Sequence, residues 1–172
     1  GLTILPTSTL DECPQLDVIC VPGGGIGQVE IMQDEEVLKF LSRISNTARY
    51  ITSVCTGSLI LAKANLLQGY KATCHWAFKE HLAELGAEVV DQRIVVDRDR
   101  ITGAGVTSGI DFGLTLVSSI WGEEMAKMTQ LMMEYNPQPP FNAGTPKTAD
   151  KLLVESFVKL GSPLIEAFWT GI

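Results

Sequence analysis

Between Tyr50 and Gly69 the sequence reads YITSVCTGSLILAKANLLQG: an apolar run of strand length passes through a cysteine directly into small and apolar residues of helix length. A strand with no polar alternation is one covered on both faces, which calls for a mostly parallel sheet between helices. DVICVPGGG (Asp17 to Gly25) is a second such run, ended by glycines, and LTILP (Leu2 to Pro6) is a shorter β-rich run. Between them, EEVLKFLSRISNTA (Glu35 to Ala48) carries Val37, Leu38, Leu41 and Ile44 at helical spacing, behind Asp34 as a cap and an acidic first turn. The alternation predicts an α/β fold.

The helix after Cys55 is expected to run to about Leu67 and stop at Gly69. A short strand, KAT, then leads to a helix, HWAFKEHLAELG, closed by Gly86. From Ala87 the pattern AEVVDQRIVVDRDRITGAG alternates β-branched and charged residues, as a hairpin does, with DRDR at its turn. TSGIDFGLTLVSSIWG, capped by Thr107 or Ser108, and EEMAKMTQLMMEY read as two further helices, the second with methionines at packing positions. The prolines of Asn136 to Pro146 exclude helix there, and Ala149 to about Leu160 is a last amphipathic stretch. The 172 residues therefore make one domain, with residues 149–172 as its C-terminal helical extension.

Composition narrows the partners. Thirteen basic against 20 acidic side chains give a formal charge of -7, which repels phosphate backbones, so no nucleic-acid partner is expected. No run approaches the roughly 18 to 20 apolar residues that span a bilayer, and the N-terminus carries no secretory pattern; the expectation is a cytoplasmic protein without membrane contact. Cys13, Cys20, Cys55 and Cys74 form no Cys-x-x-Cys pair, so neither a zinc site nor a disulfide framework is expected, and Cys20 and Cys74 read as core thiols.

Cys55 is the residue with chemistry to offer. At the carboxyl end of a parallel strand, a sharp turn into a helix projects one side chain into a crevice where the helix's first N–H groups converge and stabilise a thiolate. Pro22 to Gly25, at the end of a neighbouring strand, would place glycine N–H groups at the same crevice as an oxyanion hole. The plainer reading stands beside this one: a cysteine there is a small core residue, and the glycines are a turn. A nucleotide loop is excluded, because GGGIGQ fits no G-x-G-x-x-G frame.

VCTGSLILAKANLLQGYKATCHW, with LDVICVPGGG, ITGAGVTSGIDFGLTL and EYNPQPPFNAGTP, resembles the PfpI-like superfamily of class I glutamine amidotransferase-like folds, and within it the isonitrile hydratases. The resemblance runs nearly from the start through about Ala149. It implies a flavodoxin-like three-layer sandwich, a homodimer, and no metal or organic cofactor. It implies Cys55 as nucleophile, Thr56 beside it, Gly24 and Gly25 with Thr56 as backbone donors, and hydration of an isonitrile to an N-substituted formamide through a thioimidate. These hydratases carry an acidic aspartate on a strand-helix segment near the N-terminus. Here Gly1 opens the sequence and the resemblance begins after that segment, so the family's first strand-helix-strand portion is expected to lie upstream.

His75 either approaches the crevice or serves as a packed or capping histidine, and His81 reads as solvated. Asp111 either favours the dipole of its own helix or orients polar groups below the site. Thr56 stands where protease and deglycase-like branches of the superfamily carry histidine. The superfamily also supplies the sensor half of AraC-type regulators, which binds ligands without catalysis; that architecture calls for a basic C-terminal helix-turn-helix. A further alternative is a non-catalytic dimerisation module.

Overall fold

The computed structural model describes residues 2–170. In chain order, β1 (Val18–Val21) leads through α1 (Gly27–Ile31) and α2 (Glu35–Ser45) to β2 (Tyr50–Val54), which turns at Cys55 into α3 (Gly57–Lys63). β3 (Lys71–Ala72), a 3-10 turn (Trp76–Phe78), α4 (Lys79–Glu84) and β4 (Glu88–Val89) follow. β5 (Ile94–Asp97) and β6 (Arg100–Gly103) form the expected hairpin, and α5 (Ser108–Trp121), α6 (Glu123–Met132) and α7 (Lys151–Thr170) complete the order. The main sheet has the order β1-β2-β6-β5, with only β5 antiparallel, and β3 pairs with β4 in parallel beside it. This is the mostly parallel, flavodoxin-like α/β arrangement.

β2 is central, and its alternating side chains reach both helical layers. Ser53 Oγ lies 2.9 Å from Ser58 Oγ in α3, whereas the Tyr50 hydroxyl donates to the Ser119 carbonyl in α5 at 3.1 Å. The buried hydroxyls are tied to backbone: Thr52 donates to Ile19 O at 2.8 Å and Ser58 to Thr73 O at 2.7 Å. Around them Leu59, Leu61, Leu67 and Leu82 are wholly buried, each worth roughly 1.5–3 kcal/mol of apolar transfer. α3 lies so close to β1 that a Cβ on Gly57 would stand 2.1 Å from the Val21 carbonyl oxygen and 2.8 Å from that of Pro22. Only glycine fits there.

Several expectations are corrected. Leu2 to Pro6 is not a strand; Leu2, Ile4 and Leu5 are exposed and pair with nothing among the described residues. α3 ends at Lys63 rather than near Leu67, because Asn65 takes a left-handed φ of 60°. Neither Thr107 nor Ser108 caps α5: Thr107 is already helical, and the Ser108 hydroxyl donates to Gly105 O at 2.6 Å. Cys20 is exposed, not a core thiol, since the strand residues before and after it turn to the α3 layer. Met128 and Met132 of α6 are exposed rather than packed, because α6 buries only Ala126.

α7 runs on past Leu160 through Gly161 and Pro163 to Thr170, because its far end has a core to bury in. Phe168 is buried against Phe78, with ring centroids 4.8 Å apart in an edge contact. Residues 171 and 172 of the expected extension lie outside the described residues. The same end of α7 corrects His81, which is buried rather than solvated: Trp169 lies edge-on at 4.8 Å, and neither ring nitrogen has a partner among the described residues.

Two predictions follow from this packing. Gly57→Ala forces its methyl into the β1 backbone, and urea unfolding is expected to show a loss of about 2 kcal/mol at unchanged slope. Burial, with Lys63 nearby, pushes His81 below the ordinary histidine value, against a weaker opposing pull from Glu84. The neutral ring is thus the folded form; its contribution is full above about pH 6.5 and lost as pH falls below that. Unfolding curves from pH 7 to 5 should show stability falling, and His81→Leu should make that fall shallower.

Candidate functional site

Cys55 has a φ of 61°, the left-handed region that side chains with a Cβ avoid. Such a residue costs of order 1–3 kcal/mol and persists only where its neighbours over-determine it. Three constraints do so here. The Cys55 N–H donates to the Gly103 carbonyl at 3.0 Å, extending the β2–β6 ladder by one residue. Gly57 is wedged under the end of β1, and Leu59 N–H closes the first turn on Thr56 O at 3.0 Å. The side chain is thereby turned out at the carboxyl edge of the central strand, half-buried, where open α/β sheets place their crevices.

Continuing the β1–β2 register, in which Val21 faces Ser53, by two residues brings Gly23 beside Cys55, and by three brings Gly24 beside Thr56. A Cβ on Gly23 would stand 2.6 Å from the Cys55 Cβ and 3.1 Å from its sulfur. The Gly24 N–H donates to the Thr56 hydroxyl oxygen at 3.0 Å. That hydroxyl in turn lies 3.2 Å from Gly24 O and bonds Gln28 Oε1, while Gln28 Nε2 donates to Pro22 O at 2.6 Å. The Gly24 N–H expected to serve an oxyanion is therefore occupied by Thr56. Gly25 sits in the turn into α1, its carbonyl accepting from Gln28 N, and nothing joins it to the sulfur.

Burial pushes the Cys55 thiol up, and the Thr56 backbone N–H and hydroxyl pull it part of the way back. The net direction is upward, which corrects the expected stabilised thiolate. α3 is only seven residues long, and no cation is among the groups acting on the sulfur. The balance favours the neutral thiol over the thiolate. Cys74 behind it is deeply buried and pushed up to about 12, with its Sγ 3.3 Å from His75 O.

His75 caps the 3-10 turn, its Nδ1 accepting from Ala77 N at 3.3 Å, which leaves the proton on Nε2. Burial and Lys79 push it below its ordinary value. Its ring lies 3.5 Å from the Cβ position of Gly105, and it lines a cavity of about 650 Å³ together with Cys74, Trp76 and Ala104. Asp111 is not at the sulfur: its Oδ2 accepts from Arg93 Nε at 2.7 Å and from the Tyr135 hydroxyl at 3.0 Å. Arg93 also donates to Thr107 O at 2.8 Å, so Asp111 braces one wall of that cavity through Arg93. Among the described residues no three His, Cys, Asp or Glu side chains converge to hold a metal.

Sequence reasoning placed Cys55, Thr56 and Gly24 together but missed Gly23 and Gln28. The signal for Gly23 was the strand register, which fixes what stands opposite the cysteine.

Residues 1–119 match the DJ-1/PfpI family. The chain belongs to that family. It is 48% identical over 167 residues to the isonitrile hydratase of Pseudomonas putida, covering 96% of this chain and 72% of that protein. The crystal structure of a THiJ/PfpI family protein from Pseudomonas syringae superposes with a TM-score of 0.94 at 46% identity, over 99% of this chain and 72% of that one. The HTH-type transcriptional regulator GbdR of Pseudomonas aeruginosa is 32% identical over 137 residues, 78% of this chain but 37% of the regulator.

The electrostatics carry a pH prediction. Alkylation of Cys55 by iodoacetamide is expected to rise with pH to a midpoint above the ordinary thiol value of about 8.5, and Thr56→Val should move it higher still. A midpoint below 7 would contradict the site described here.

Proposed function

We propose that this chain hydrates an isonitrile to an N-substituted formamide, with Cys55 as nucleophile. The observation that carries the reading is the left-handed Cys55 at the end of β2, a strain maintained by three separate contacts and of no use to a packed core residue. The 48% identity to an isonitrile hydratase supports the substrate class.

The raised thiol suits this chemistry. The terminal carbon of R–NC must gain both a sulfur and a proton, and a neutral thiol holds both. In the first step the S–H bond breaks, sulfur bonds the isonitrile carbon, and the proton goes to that same carbon, giving R–N=CH–S–Cys55. Water then adds to the thioimidate carbon, and the C–S bond breaks as the sulfur takes back a proton. The products are R–NH–CHO and the free thiol. The Thr56 backbone N–H, which acts on the thiol, is the group that steadies the departing sulfur, while the Thr56 hydroxyl holds Gly24 and Gln28 in place. His75 contributes an Nε2 proton donor on the cavity side.

A homodimer belongs to the same reading, supported by the exposed Met128, Leu131 and Met132 of α6, which a second copy would cover. All four cysteines are free, which fits a reducing, cytoplasmic setting. Similarity to GbdR favours a second reading, a ligand-sensing module that binds without turnover.

Hydration of an aryl isonitrile, followed by absorbance, separates them. The wild-type chain is expected to turn over and Cys55→Ala to lose about 10³-fold or more in kcat/KM. Equal rates for the two would exclude the covalent route, and no turnover by either would leave the sensing module.

A further inference from the structure

The cavity beside His75 has a charge opposite to that of the chain. In a sequence with 20 acidic and 13 basic side chains, its lining holds Lys79, Arg93 and Lys147 but only one acid, Asp91. Arg93 is neutralised by Asp111. Lys79 and Lys147 share Asp91, one ammonium on each carboxylate oxygen, and together they hold Asp91 down to about 2. One carboxylate between two ammonium groups leaves a positive charge without a partner at this wall. Lys79 is also largely buried, its side chain 21% exposed, so water screens it less than a surface lysine.

The rest of the lining combines apolar Trp76, Val106 and Pro146 with polar Gln92, Thr107 and Thr145. Cys55 is not itself in the lining but adjoins it: the lining residue Cys74 lies near enough for the Cys55 sulfur to act on its thiol, and Gly105 is two residues beyond the carbonyl that holds Cys55. A substituent carried on the sulfur would thus have Trp76, Pro146 and the two lysines in the adjoining cavity.

We propose that this cavity receives the substituent of the isonitrile and selects substituents that end in a carboxylate, bound by Lys79 and Lys147. The proposal rests on the isonitrile reading above and adds the substrate class. Asp91 keeps the two ammonium groups together on the empty site, and the substrate's carboxylate supplies the second negative charge that they lack. Lys147 follows directly on Gly144 to Pro146, so the Lys147 to Asp91 ion pair also anchors this segment of the lining.

The test compares 4-isocyanobenzoate with 4-isocyanobenzamide, its neutral isostere. At low ionic strength kcat/KM is expected to favour the carboxylate by about tenfold, a ratio that shrinks with added salt. Lys79→Met and Lys147→Met should each lower the ratio towards one; Lys147, 77% exposed, serves should Lys79→Met fail to fold. A ratio of one or less in the wild type, or a ratio unchanged by the lysine substitutions, overturns the proposal. Calorimetric binding of 4-formamidobenzoate against 4-formamidobenzamide reads the same preference without turnover. Tighter carboxylate binding with no hydration of either isonitrile would retain the anion site and remove the hydratase reading. Equal binding would remove the site whatever the turnover.

Discussion

A cysteine held at φ 61° is the constraint around which the rest of the structure is arranged. The strain is local, but what maintains it is not. It needs β6 in register so that the Gly103 carbonyl meets the Cys55 N–H, β1 close enough to clamp Gly57, and glycines after β1 so that the chain can pass the sulfur at all. A side chain at Gly23 would occupy the space of Cys55 itself. The parallel sheet therefore serves the elbow as much as the core, because only adjacent parallel strands bring two carboxyl ends to one point.

The same contacts decide the chemistry. Two donors beside the sulfur are spent on holding geometry: the Gly24 N–H serves the Thr56 hydroxyl, and that hydroxyl serves Gln28. At the sulfur burial outweighs the pull of Thr56, and the balance favours the neutral thiol. An acyl-transfer enzyme would be poorly served by this arrangement, since it must support an oxyanion. Addition across an isonitrile carbon develops no such oxyanion in its first step and consumes a proton that the thiol already carries.

The alternation of apolar strands with capped helices was legible without coordinates, as were Asp34 as a cap, the hairpin at Asp97 to Arg100 and the elbow at Cys55. Each rests on residues near one another in sequence. The early end of α3 at Asn65 and the missed cap at Ser108 are local, but the other failures depend on tertiary placement. His81 looked polar-facing on its own helix, and only α7 arriving from ninety residues later buries it under Trp169. α7 itself looked finished at Leu160 because glycine and proline follow, yet Phe168 had a place against Phe78. Gly23 was quoted within PGGG but not distinguished from its neighbours, since which glycine meets the sulfur is a matter of strand register, and a shift of one residue would have chosen another. Arg93 and Asp111, eighteen residues apart, gave no sequence sign of bracing one wall together.

An acidic chain with a basic cavity separates two electrostatic effects that are often merged. The net charge of -7 is spread over exposed side chains, and at physiological salt its field fades within about 8 Å. It slows an approaching anion only slightly. Lys79 lines the same cavity as Trp76 and is away from most of the solvent, so at contact distance its charge would be weakly screened and count for more. Selection by charge can therefore sit inside a molecule whose surface has the opposite sign, and its salt dependence should be that of two ammonium groups rather than of the whole surface. Raising salt would then weaken the carboxylate preference while leaving the neutral substrate untouched, whereas a whole-surface effect would act with the reverse sign, raising carboxylate turnover as the repulsion is screened.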